Sequence, residues 1–157
     1  MAEHETVGRV EQRRMSARAV KVPEISVRLV AVLLALAVAT VHVADQGGIR
    51  DLTSPAWIGW GYRAIEVGGI LTALAILLAR PAWLGWVAGV LLGTAPFIGY
   101  IASRTVALPG DPHDVGNWGY WVGTASLVVE AALVVLSVGM LLALRQRSSG
   151  WSAPGGS

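Results

Sequence analysis

Cysteine is absent from all 157 residues. That absence removes disulfide exchange, thiolate nucleophiles and thiolate metal sites together, and with them the four-helix membrane thiol oxidoreductases. Charge is also scarce: Asp, Glu, Lys and Arg make up 14% of the chain, against roughly 25% in soluble domains. A phosphate loop, a nucleophile with its base and an internal repeat are missing too. The spaced glycines of GWGYRAIEVGG (59–69) open an apolar segment instead of following a strand, so a phosphate cradle fails on context.

What is present is apolar sequence, 54% of the residues, gathered in blocks without the alternation of half-buried soluble elements. Four blocks cover 25–44, 57–79, 82–103 and 118–144, each near the roughly 20 residues that cross a hydrocarbon core as a helix. The expected fold is all-α: a four-helix transmembrane bundle over 25–144, a basic, mobile leader over 1–24 and a disordered tail over 145–157.

Nine basic residues fall on one side of this arrangement (Arg9, Arg13, Arg14, Arg18, Lys21, Arg28, Arg80, Arg145, Arg147), and three (Arg50, Arg63, Arg104) on or near the other. The positive-inside rule then predicts both termini in the cytoplasm and a multi-pass protein of the plasma membrane. Asp45, Asp51, Asp111 and Asp114 make the outer loops mildly acidic. Trp57, Trp60, Tyr62, Tyr100, Trp118, Tyr120 and Trp121 suit an outer interfacial belt, and Trp83 and Trp86 an inner one. Ala37-Val38-Ala39 has the form of a signal cleavage site. Cleavage there would leave an odd number of helices with Arg80 and Arg145 on opposite sides, which argues against it. In LPGDPHDVGN (108–117), Pro109-Gly110 suits a tight turn and Asn117 a cap for the fourth helix.

Within lipid, helices approach through small residues. Ala31, Ala35 and Ala39 mark one such face; Gly85, Gly89 and Gly93 a second; Gly119, Gly123 and Ser126 a third. Continued by three or four residues, these stripes run into polar ones: His42 and Asp45, then Tyr100 and Ser103, then Glu130 and Ser137. On the second helix Gly59, Tyr62, Arg63, Glu66, Gly69 and Ala73 share a face. Counted from Arg28, Arg80 and Arg145 at about 1.5 Å per residue, His42, Glu66 and Glu130 lie at one height of roughly 21–23 Å, with Thr94 level and Arg63 a turn further out.

Two carboxylates and an imidazole in a low-dielectric layer require a shared proton or a cation between them. Arg63 is the resident cation, and a buried network of Arg63, Glu66 and Glu130 that fixes helix register is one reading. The other gives His42, Glu66, Glu130 and Asp45 a proton or a small cation to pass, reached from an outer rim of Asp45, Arg104, Asp111, His113 and Asp114. A metal would need His113 folded inward to reach two imidazoles and a carboxylate, and one imidazole with oxygens is unselective; no metal is expected and no cofactor is specified. Arg104 favourably meets the negative end of the third helix or holds an anionic headgroup.

Ser103, Arg104, Thr105, Leu108, Pro109, Gly110, Asn117 and Glu130 together resemble a group of small actinobacterial four-helix membrane proteins. That group carries a Ser-Arg-Thr-x-x-Leu-Pro-Gly turn after the third helix and a glutamate in the fourth. The resemblance covers mainly 99–137, with a looser match around His42. It implies the architecture and marks Arg104 and Glu130, and it supplies no reaction. Three functions stay open on the sequence: a transporter or accessory of a membrane complex handling a proton or small cation, a structural or assembly subunit, and a lipid-handling membrane enzyme. Expected partners are the bilayer, a membrane protein or a second copy of the chain, with no nucleic acid.

Overall fold

The computed structural model describes residues 24–150, with side chains for 24–148. The expectations for the leader over 1–23 and the tail over 151–157 lie outside the described residues. Four helices succeed one another: α1 (Glu24–Asp45), α2 (Ala56–Leu78), α3 (Trp83–Thr105) and α4 (Trp121–Gly150). A short 3-10 turn, Pro112–Asp114, precedes α4. All four are long and apolar enough to cross a membrane, and a helix satisfies its own backbone where water is absent. Each packs against its neighbour in sequence, α4 closes on α1, and the diagonal pair α1 and α3 barely touch.

The buried positions track the small-residue stripes. They include Ala31, Ala35, Val38 and His42 on α1; Gly59, Glu66, Gly69, Ala73 and Ile76 on α2; Gly85, Gly89, Gly93 and Pro96 on α3; and Gly123, Ser126, Glu130, Leu133 and Ser137 on α4. Steps of three, four or seven keep such residues on one helix face. Leu29, Leu33, Leu71, Leu91, Val128 and Val135 point outward and are exposed, a surface suited to lipid.

Glycines let the helices approach closely. A Cβ on Gly69 would lie 2.7 Å from the Ala35 carbonyl of α1, and one on Gly93 would lie 2.7 Å from the Glu130 carbonyl of α4. At the end of the bundle where the described chain begins and finishes, Arg28 donates to the Ile76 carbonyl at 2.7 Å, satisfying an acceptor in the last turn of α2. Arg28 and Arg147 also meet Glu24 at 3.1 and 3.3 Å, so both ends of the described chain share one side.

Three details depart from the expectations. The fourth helix starts at Trp121, so Gly119 lies outside it and Asn117 is too far upstream to cap it; Trp118 bonds back to Gly116 in a separate turn. That helix also continues past Leu144 to Gly150. Trp86 is a core residue, 1% exposed, packed among Ala31, Ala35, Ile76 and Leu133. The small side chains of α1 leave a volume there that an indole fills. Pro109-Gly110 does turn the chain: Asp111 N–H donates to the Leu108 carbonyl at 3.0 Å, and Gly110 takes φ +84°, a conformation a Cβ would oppose.

Candidate functional site

The side chains expected in one polar layer divide into two groups. On the α1–α2 side, Arg63 donates to Glu66 at 2.6 Å and to the Asp51 carbonyl at 2.7 Å. The other oxygen of Glu66 accepts from Gln46. Glu66 is 5% exposed, and its two oxygens each have a donor. Gln46 was not among the residues expected here because it falls just past the first apolar block; its position four residues beyond His42 on the same stripe was the signal that could have found it.

On the α1–α4 side, Glu130 is fully buried. Its Oε1 accepts from Ser126 and faces His42 Nε2 at 3.8 Å, while its Oε2 has no hydrogen-bond partner. Arg63 therefore pairs with Glu66 and Asp51, and among the described residues Glu130 has no arginine partner. The three-member network expected for Arg63, Glu66 and Glu130 is not formed, because Arg63 is directed toward the α1–α2 loop.

The other ring nitrogen of His42 fixes its tautomer. Nδ1 lies 2.9 Å from the Val38 carbonyl, and a carbonyl only accepts, so Nδ1 carries a hydrogen. In the neutral ring Nε2 is then the bare nitrogen, and it is the one turned to Glu130.

Above these groups Asp45 accepts one hydrogen bond on each oxygen, from Tyr62 at 2.5 Å and from Tyr120 at 2.6 Å. The Tyr120 hydroxyl is pushed up to about 12, first by donating to Asp45 and then by burial. Arg104, 5% exposed, pairs with Asp114, lies 4.5 Å above the Tyr100 ring and donates to Ser103 at 3.2 Å. The backbone supports this arrangement, since Gly116 N–H donates to the Arg104 carbonyl at 2.9 Å.

These side chains surround a cavity of about 460 Å³. Its floor is His42, Ser126 and Pro96, and its far rim carries Asp111, Asp114 and Asn117. Pro96 has no N–H, so the α3 ladder lacks one bond at the floor. Asp45, Tyr62, Tyr100, Arg104 and Tyr120 form the polar wall. Glu130 lies behind the floor, reached through His42 and Ser126. His113 is exposed and outside the cavity lining, so it does not join His42. Among the described residues no three histidine or acidic side chains converge as a metal-binding set. No protein-family model matches the chain, and no curated protein and no solved structure does.

Proposed function

We propose that this chain is a multi-pass protein of the bacterial plasma membrane, with both termini in the cytoplasm, that passes a proton between its outer cavity and the His42–Glu130 pair. It acts as a transporter or as the proton-handling accessory of a membrane complex. The orientation rests on nine basic residues on the terminal side against three elsewhere.

One observation carries the functional reading: a fully buried carboxyl faces the bare nitrogen of a histidine whose ring also lines the cavity. One proton satisfies the pair in either of two ways, as imidazole with carboxylic acid or as imidazolium with carboxylate. Both are net neutral, so the proton changes residue without a net charge appearing in a low-dielectric interior. The 3.8 Å gap exceeds a direct hydrogen bond, so transfer requires a small closure or one bridging water.

The Arg63–Glu66–Gln46 group is architectural in this account. Both oxygens of Glu66 have donors, the group is absent from the cavity lining, and it ties the α1–α2 loop to α2. Arg104 is likewise occupied, by Asp114, which disfavours an anionic headgroup as its partner.

The test is proton flux into liposomes loaded with a pH-sensitive dye. Glu130→Gln keeps shape and the Ser126 bond but holds no exchangeable acid proton. The expected result is normal folding with pH-driven flux lost. Flux equal to wild type would overturn the relay, and a variant with reduced thermal stability and unchanged flux would place Glu130 among the structural residues.

A further inference from the structure

A proton path needs no cavity of about 460 Å³, a volume in the range that holds small molecules. The geometry points to this cavity as the binding site of an organic monocation, an amine or quaternary ammonium with an apolar body. The inference deepens the proton reading by naming what shares the cavity with the proton, and binding can be measured without the relay.

Charge gives the sign of the ligand. Three carboxylates line the cavity, Asp45, Asp111 and Asp114, against one guanidinium, Arg104. Arg104 and Asp114 neutralise each other, and among the described residues neither Asp45 nor Asp111 has a cationic partner. Asp45 is held in place by two tyrosine hydroxyls, which orient its carboxylate and leave its charge uncancelled. Both carboxylates are half-buried, and charge partly withdrawn from water favours a counter-charge.

The walls give the ligand's shape. Trp57, Tyr62 and Tyr120 line the same space, and aromatic faces attract ammonium groups. A cation is already held that way at the cavity wall, with Arg104 4.5 Å above Tyr100. Val41, Ile58, Ile65 and Leu108 supply apolar surface for a body.

Entry is lateral. Gly61 on α2 and Gly99 on α3 both line the cavity and are exposed, and a Cβ on either would meet nothing within 4 Å. The same two helices are in tight contact at their other ends, where a Cβ on Gly85 would lie 2.7 Å from the Ala75 carbonyl. They part toward the cavity, and an amphiphilic cation collected at the membrane surface would pass between them.

The experiment is calorimetric titration of the full chain, in phosphatidylcholine nanodiscs, with benzyltrimethylammonium and, separately, with benzenesulfonate. Saturable one-to-one binding of the cation and none of the sulfonate is expected. Asp45→Asn should weaken binding by about tenfold or more, while Asp51→Asn, outside the lining, should leave it unchanged. Gly99→Leu, whose side chain enters open space, should block binding without loss of helical circular dichroism or thermal stability. It keeps the test meaningful if Asp45→Asn folds poorly. No saturable binding to wild type, equal affinity in Asp45→Asn and Gly99→Leu, or preference for the sulfonate would each overturn the proposal, the last by assigning Arg104 an anion. Normal flux in Glu130→Gln together with Asp45-dependent cation binding would remove the relay and leave this site standing.

Discussion

Replacing Arg63 by Met separates the two polar groups of the bundle. The guanidinium is the only cationic partner of Glu66 among the described residues, and it also holds the Asp51 carbonyl of the α1–α2 loop. Breaking a buried ion pair by removing one partner costs about 3–5 kcal/mol. The Arg63 side chain is 25% exposed and that of Glu66 7%, so solvent screening lowers the expected cost to about 2–3 kcal/mol. Removing the acid as well, in Arg63→Met/Glu66→Gln, eliminates the stranded charge and leaves Gln46 with an amide partner, so most of that loss should be regained. Unfolding in mixed micelles followed by circular dichroism measures each variant, and the double-mutant cycle gives the coupling. Glu130→Gln serves as the comparison: since Arg63 does not touch Glu130, it should show no coupling to Arg63→Met. A single variant as stable as wild type, or a double variant no better than the single, would refute the assignment of Arg63 and Glu66 to a buried pair. Coupling between Arg63 and Glu130 would refute the division into two groups.

Gly69→Leu should destabilise by about 1–3 kcal/mol, because α1 backbone stands where its side chain must go and overpacked interiors yield only with strain; Gly61→Ala, facing open space, is the matched control and should unfold with wild type. In ultraviolet titration Tyr120 should ionise near pH 12 instead of 10.0, and Asp45→Asn should bring it down. Because its folded value lies above the unfolded one, Tyr120 contributes stability in full below about pH 10 and loses it as pH rises toward 12; Tyr120→Phe should flatten that part of the pH–stability curve. For orientation, single cysteines at Ser148 and Asp111 in this cysteine-free chain should react with an impermeant thiol reagent from opposite sides, and reaction of both from one side would overturn the assigned topology.

The helices were legible because lipid imposes a crude rule, long apolar runs with backbone bonds closed internally. Their buried faces were legible because small residues recur at helical spacing. The start of α4 was not: Trp118-Gly119-Tyr120 is as apolar as the first turn of the helix itself, and only the Gly116 turn below Arg104 stops the helix there. Pairing inside the polar layer was not legible either. Counting residues from a basic anchor gives height along the bundle axis and says nothing about azimuth around it. Glu66 and Glu130, expected at one height, therefore answer to different partners, Gln46 and Arg63 for the first and Ser126 and His42 for the second. An arginine side chain is also long enough for its direction to be set by a loop carbonyl, here that of Asp51, which no periodicity in the helices encodes.

The last turn of α1 and the residue that follows it divide the polar layer. His42, Asp45 and Gln46 are spaced by three and one, so they leave the same turn in different directions: His42 toward Glu130 on α4, Asp45 toward the hydroxyls of Tyr62 and Tyr120, and Gln46 toward Glu66 on α2. Gln46 and Arg63 each donate to one oxygen of Glu66, and that carboxylate resists change because any shift exposes an unpaired charge. Glu130 keeps one oxygen without a partner beside a histidine nitrogen that also lacks one in its neutral form. A small displacement of α1 relative to α4 would therefore change the contact at Glu130 first, with α2 holding the opposite side of α1 fixed through Gly69. The small residues that bring α1 and α2 together thus fix the Glu66 side, and in the proposed relay they leave Glu130 as the glutamate whose contact can change.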